Sequence, residues 1–360
     1  MRNRSHRPTL MAAGLALLVM SATLPSPPAD ARAGRPAGPL VPVDGFYVGA
    51  YTKHPDGSGF QRQQEAVKDL EAELGRRLHI DHHFYDWEKP FPSEREPWDL
   101  ANGRIPMISW NGPELSSGGT SAIIRGAHDG LIVTRADAVK ALGEPVFLRW
   151  FWEMDGNKNA DRVESAANYV KAWRHIHDLF TARGASNAVW VWCPNASAMG
   201  DGDARPYYPG PRYVDWVCGD GYNFHPNRPG DKWRGFDEIF GDFYRVAQSY
   251  HKPIMIGEFG VLEDPNVPGR KQAWFHQAHD AIRDRYPALA AVVYFNADST
   301  TNGIYFNFRV GTSPESFEGF RYMFTGPPPI PGSFTRPETP APVPPTTATT
   351  RPKAKPATPT

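Results

Sequence analysis

The chain has 360 residues, enough for one large domain or two small ones at roughly 150 residues each. Its 39 lysines and arginines balance 39 aspartates and glutamates, which argues against nucleic acid or an anionic membrane surface as a partner. Hydrophobic residues at 40% supply a substantial core, while eleven tryptophans and fourteen tyrosines also suit sugars, whose apolar faces stack on flat side chains.

Arg2, Arg4 and Arg7 precede an apolar stretch from Leu10 to about Leu24, followed by prolines and Ala29-Asp30-Ala31. A charged segment, a short apolar segment and an A-x-A site make residues 1–31 a secretory signal peptide, too short for a comfortable membrane span. Residues 32–45 read as a Gly/Pro/Ala-rich leader, and 46–326 as one globular domain. Residues 327–360 are dominated by proline and threonine, a composition that buries too little apolar area to order itself and gives an extended tail. The mature protein is expected outside the cell as a monomer, its tail a candidate for association with the cell wall.

Within the domain, short β-rich runs recur in chain order: FYVGAYT, HIDHHFYDW, IPMISW, PVFLRWFWE, AVWVWCPN, VDWVCGDGYNF, PIMIGEFG and AVVYFN. Between most of them lie segments with apolar residues at helical spacing, such as AANYVKAWRHIHDLFTARGA and KQAWFHQAHDAIRDRY. A last helix, SPESFEGFRYMF, closes the domain. Eight strands alternating with helices or long loops predict a (β/α)8 TIM barrel, typically ~250 residues. A doubly wound sheet would more often carry a glycine-rich phosphate loop after its first strand, and GAYTKHPDGSG has no such pattern.

In a barrel, chemistry sits at the C-terminal strand ends. Glu153 ends PVFLRWFWE and Glu258 lies near the end of PIMIGEFG. Strict alternation puts Arg149, Phe151 and Glu153 on one face, with Leu148, Trp150 and Trp152 on the other; it likewise puts Ile254, Ile256 and Glu258 together. Two carboxylates facing each other across a cleft suit glycosidic bond cleavage, where one protonates the leaving oxygen and the other attacks the anomeric carbon. Arg149, one layer below, can orient acidic neighbours. Trp110, ending IPMISW, is a candidate sugar wall, and Asn195, Asn223 and Asp155 are strand-end candidates for hydroxyl contacts. Tyr294, in the last strand, joins the candidate set.

These motifs resemble glycoside hydrolase family 26, the β-mannanase family of clan A. RWFWEMDG is similar to its R-x-x-H-E-M-N-G motif, VWVWCPN to WVWSPN, and YYPGPRYVDWVCGDGYNF to YYPGD-x-YVDWVGIDGYN. KPIMIGEFG resembles its nucleophile strand, and the ending VVYFNAD with NFRVGTSPESFEGFRYMF resembles its final strand and helix. The resemblance covers nearly all of residues 46–324. It implies Glu153 as acid/base and Glu258 as nucleophile of a retaining endo-β-glycosidase, Tyr222 bonded to the nucleophile, and Arg149 as the strand-four arginine. β-1,4-Mannan is the substrate it implies first, with β-1,3-xylan, mixed-linkage β-glucan or a cell-wall glycan as alternatives. A non-catalytic surface barrel that only binds polysaccharide is the alternative of another class. Trp152 stands where the family keeps histidine and Asp155 where it keeps asparagine, while Phe308 and Gly311 replace a common tryptophan and aspartate.

No cofactor is expected. His82 and His83 lie near Asp81 and Asp86, but neighbours on a strand point to opposite faces, so no metal is assigned. Export favours a Cys193–Cys218 bridge, whereas adjacent parallel strands seldom offer its geometry, and the sequence leaves the pairing open.

Overall fold

The computed structural model describes residues 36–43 and 45–326; the signal peptide and the Pro/Thr-rich tail read from the sequence lie outside the described residues. Eight parallel strands close into a barrel in sequential order. They are β1 (Tyr47–Thr52), β2 (Ile80–Tyr85), β3 (Ile105–Trp110), β4 (Val146–Trp150), β5 (Ala188–Trp192), β6 (Trp216–Asn223), β7 (Ile254–Val261) and β8 (Leu289–Asn296). β1 closes on β8 over six residue pairs, from Tyr47–Ala291 to Thr52–Asn296.

Helices cover the outside: α1 (Phe60–Leu74), α2 (Arg95–Ala101), α3 (Gly119–Ile124), α4 (Asp129–Leu142), α5 (Asn157–Arg162), α6 (Ala166–Arg183), α7 (Ala196–Asp201), α8 (Phe236–Ala247), α9 (Arg270–Arg285) and α10 (Pro314–Thr325). The helices have local causes. Ser165 and Ser313 each accept a backbone N–H of the first turn, from Asn168 and Ser316, and so cap α6 and α10. α6 stops at Gly184, which takes φ 73° at no side-chain cost. On α8, Phe236, Ile239, Phe240, Phe243 and Ala247 recur at helical spacing and are buried against the barrel.

The alternation of each strand divides the core in two. Val48, Leu148, Trp150, Trp190, Val217 and Val292 face the helices, whereas Tyr47, Ile80, Met107, Phe147, Val191, Trp216, Met255 and Val293 fill the barrel. The leader is less detached than its composition implies. Leu40 and Val41 pack against the inner cluster, and the Trp216 indole donates to the Pro39 carbonyl at 2.8 Å. After β8 the chain forms a hairpin of β9 (Asp298–Thr301) and β10 (Ile304–Asn307) that the strand pattern did not predict. Asn302 and Gly303 turn it with φ of 52° and 76°, the Asn-Gly pairing of a tight two-residue turn. Cys193 and Cys218 are joined in a disulfide.

Candidate active site

At the C-terminal end of the barrel the inward-facing side chains change from apolar to polar. Above the layer of Met107, Phe147 and Val191 lie His82, Ser109, Arg149 and Asp220, all buried. The cleft over them has a volume of about 730 Å³. Tyr51, Phe84, Trp152, Phe295, Phe306 and Phe308 give it aromatic walls, and Glu153, Asp155, Asn195, Asp220, Tyr222 and Glu258 bring polar atoms into it.

Both expected glutamates reach this cleft, by a different route from the one alternation predicts. β4 ends at Trp150; Phe151 and Glu153 then take φ of 46° and 49°. The turn sends Phe151 outward into the cluster behind Trp150, brings Trp152 inward over the barrel mouth, and projects Glu153 into the cleft. Arg149, Phe151 and Glu153 therefore do not share a face, and Trp152 does not follow Trp150. β7 departs similarly. Its pairing with β6 jumps from Gly219–Ile256 to Asp220–Glu258, leaving Gly257 as a bulge. Ile254 and Ile256 face the helices while Glu258 faces the cleft, so those three do not share a face either. A Cβ on residue 257 would run into Cys218 Sγ, which explains the glycine.

Arg149 is the hub of the floor. It donates to Ser109 Oγ at 2.7 Å, to Asp220 Oδ2 at 2.8 Å and to Glu258 Oε1. Burial pulls its pKa down, but Asp220 and Glu258 outweigh burial and the guanidinium ends above its ordinary value. Ser109, already accepting from Arg149, lies 2.6 Å from His82 Nε2, and Arg149 Nη2 approaches the same nitrogen at 3.3 Å. Nε2 is thus the accepting nitrogen, and burial together with the Arg149 charge pushes His82 well below its ordinary pKa, leaving a neutral ring. Glu258 Oε2 accepts from the Tyr222 hydroxyl at 2.5 Å. Burial pushes Asp220 well up against the pull of Arg149, and Glu258, Glu153 and Asp155 add to the rise. One buried cation thus faces a group of carboxyls, a setting in which protons and negative charge can be handed between neighbours.

The other expected residues divide. Trp152 lies over Arg149, 5.1 Å from guanidinium carbon to ring centre, and beside Phe84. Asp155 accepts from the Asn195 backbone N–H at 3.1 Å and both line the cleft; burial raises Asp155. Trp110, Asn223 and Tyr294 are placed elsewhere. Trp110 stacks on Trp87 at 4.4 Å outside the barrel, because its position on β3 faces the helices. Asn223 pins the following loop through the Arg234 carbonyl at 2.7 Å, and Tyr294 donates to the Phe308 carbonyl at 2.6 Å within the outer core. The residue-by-residue reading missed Asp220, His82 and Ser109. Their signal was present in the period-2 register, since each sits an even number of residues from an inward neighbour on its strand.

His82 and His83 do face opposite ways. His83 bonds Asp99 on α2 at 2.6 Å, behind β2 and away from the cleft. There Asp81, His83 and Asp99 bring ligand-type atoms within 4.8 Å of one another, with the Arg104 guanidinium 3.8 Å from Asp99 already supplying positive charge.

Fold and site together define a (β/α)8 barrel with a carboxylate-rich cleft at the C-terminal ends of its strands. The chain belongs to glycosyl hydrolase family 26, whose profile matches residues 130–283. It is 33% identical over 287 residues to Endoglucanase H of Acetivibrio thermocellus, covering 77% of this chain and 30% of that protein. It is 32% identical over 174 residues to Mannan endo-1,4-beta-mannosidase A and B of Caldalkalibacillus mannanilyticus, covering 47% and 30%. The chain thus spans about a third of the length of these curated relatives. Its fold is shared by a family 26 β-mannanase from Bacteroides ovatus, at a TM-score of 0.54 and 16% identity over 79% of this chain and 89% of that one. No helix among the described residues is long and apolar enough to cross a membrane.

Proposed function

We propose that this protein is a secreted, retaining endo-β-glycosidase acting by double displacement, with Glu258 as nucleophile and Glu153 as acid/base. The observation that carries the reading is the setting of Glu258. Arg149 and Tyr222 each hold one of its oxygens, leaving a fixed carboxylate in the cleft that Glu153 also lines. Glu153 gives its proton to the glycosidic oxygen as Glu258 bonds to the anomeric carbon, and the leaving sugar departs. Glu153, now a base, takes a proton from water, which attacks the same carbon and frees Glu258. As Glu258 loses its charge on bonding, Arg149 keeps its hydrogen bond to Asp220.

For the backbone sugar we place β-glucan ahead of β-1,4-mannan. The match to Endoglucanase H extends over 77% of this chain, against 47% for the mannosidase. Trp152 supports the order. A histidine can hydrogen-bond an axial hydroxyl, whereas an indole face suits the flat faces of glucosyl rings, whose hydroxyls are all equatorial. Secretion is supported by the N-terminal charged, apolar and A-x-A pattern, and by the disulfide.

The test is a panel of mixed-linkage β-glucan, carboxymethyl cellulose, glucomannan, galactomannan and β-1,3-xylan, read by new reducing ends. Highest turnover on a β-glucan is expected; turnover confined to galactomannan would restore mannan. Glu258→Ala should abolish hydrolysis while leaving polysaccharide binding intact, and hydrolysis that survives it would remove Glu258 from its role. Wild-type binding without hydrolysis would favour the surface-binding barrel.

A further inference from the structure

We propose that the Cys193–Cys218 disulfide is a positioning element of this site, a covalent suture that keeps the Asp220–Arg149–Glu258 array and the Glu153 turn in register. The proposal rests on the roles given to Glu153 and Glu258 above.

The barrel is thinly laced where the disulfide lies. β5 and β6 pair only at Val191–Trp216 and Trp192–Val217, whereas β2 and β3 pair over six positions. The ladder resumes at an isolated bridge between Asn195 and Asp220. Cys193 and Cys218 span the interval between these two stretches. Just above it lie Asp220, at the bridge, and Glu153, on a turn with positive φ.

Both catalytic strands lean on this link. The Glu153 backbone N–H donates to the Cys193 carbonyl at 2.8 Å, so the turn that aims Glu153 is anchored on a bridged residue. Asp220 Oδ1 lies 3.1 Å from Cys193 Sγ, while Oδ2 takes the Arg149 hydrogen bond. Arg149 Nη1 is itself 3.6 Å from Cys193 Sγ. On the remaining side Gly257, adjoining Glu258, leaves room for both sulfurs and for Asp220 Oδ1. The disulfide thus touches each member of the array or its chain neighbour.

Disulfide sulfurs carry no proton. Reduction would present two S–H groups close to Asp220 Oδ1 and so favour its carboxylate, in a pocket where it already faces Arg149 from β4, Glu153 and Asp155 from the following turn, Tyr222 on its own strand and Glu258 from β7. Added negative charge there raises the proton affinity of the catalytic pair.

The experiment compares three forms: oxidised protein, the same protein reduced with a phosphine, and Cys193→Ala/Cys218→Ala. Each is assayed for kcat, KM and pH profile on the best polysaccharide, well below its unfolding temperature. Alkylation of unreduced, denatured protein should label neither cysteine. Reduction and the double variant should lower kcat on the order of tenfold, as displacement of reacting groups does, with KM within about twofold. The reduced form's pH profile should also move to higher pH, and reoxidation should restore it. Labelling of both cysteines without reductant would overturn the proposal. So would reduced protein with unchanged kcat and pH profile, which would leave the link merely stabilising; this arm stands if the double variant fails to fold. An oxidised protein inactive on every β-glycan would instead sink the reading beneath the proposal, and the proposal with it.

Discussion

Arg149 is fully buried and bonded to two carboxyls, so its removal strands charge rather than merely deleting a contact. Arg149→Met should cost about 3–5 kcal/mol in urea unfolding, the range for breaking one side of a buried pair, and should abolish turnover. Tyr222→Phe is milder. It removes a single hydrogen bond to the Glu258 carboxylate, worth about 1.5–3 kcal/mol. We expect kcat to fall ten- to a hundredfold with little change in KM, measured side by side on one substrate. At this scale much of the site was legible. Glu153, Glu258, Arg149 and Tyr222 were all named from strand ends and motif; Glu153, Glu258 and Tyr222 line the cleft and Arg149 is buried beneath it. Trp110, Asn223 and Tyr294 were named by the same reasoning and point away, because proximity to a strand end does not tell which face a side chain takes.

Among elements, β4 and β7 show what period-2 reasoning misses. Alternation holds along β6, where Trp216, Cys218, Asp220 and Tyr222 all face inward. It breaks at Phe151 and at Gly257, where one residue of irregular backbone re-aims everything that follows. Had strict alternation held with Ile254 and Ile256 outward, Glu258 would point at the helices. Gly257→Ala tests the bulge directly. Its methyl must displace Cys218 Sγ and Asp220, so we expect a loss of about 1–3 kcal/mol in urea unfolding and a fall in kcat larger than that in binding. The β9–β10 hairpin gave a readable Asn-Gly signal, yet its place above the cleft, with Ser299, Thr301 and Phe306 in the wall, depends on how β8 leaves the barrel.

For the molecule as a whole, two buried ionisable groups outside the cleft should shape stability against pH. Burial lowers Lys271 to about 7, where its amine donates to the Arg309 carbonyl and to Thr312, tying α9 to the segment before α10. Its folded pKa lies below the unfolded 10.5, so folding sheds a proton between about 7 and 10.5 and stability gains from this group as pH rises through that window. Every tenfold difference in proton affinity between the folded and unfolded chain is worth about 1.4 kcal/mol. Burial raises Asp99 to about 7, which acts oppositely: its folded form holds a proton the unfolded chain loses above 3.8, so stability from this group falls as pH rises from there to about 7. Thermal unfolding from pH 4 to 10 should therefore show a flatter alkaline side in Lys271→Met and a flatter acid side in Asp99→Asn.

By itself the sequence determined the eight-strand alternation and the barrel it closes into, and it singled out Glu153, Glu258 and Arg149 as candidates. These follow from hydrophobic periodicity and from the high cost of placing charge on an apolar strand without a partner. Only the tertiary structure decided where alternation breaks, so that Trp152 turns inward and Glu258 reaches the cleft, and that Cys193 meets Cys218. Those outcomes depend on a bulge, two residues with positive φ and the spacing of neighbouring strands, which arise when the barrel closes and which no local window of sequence contains.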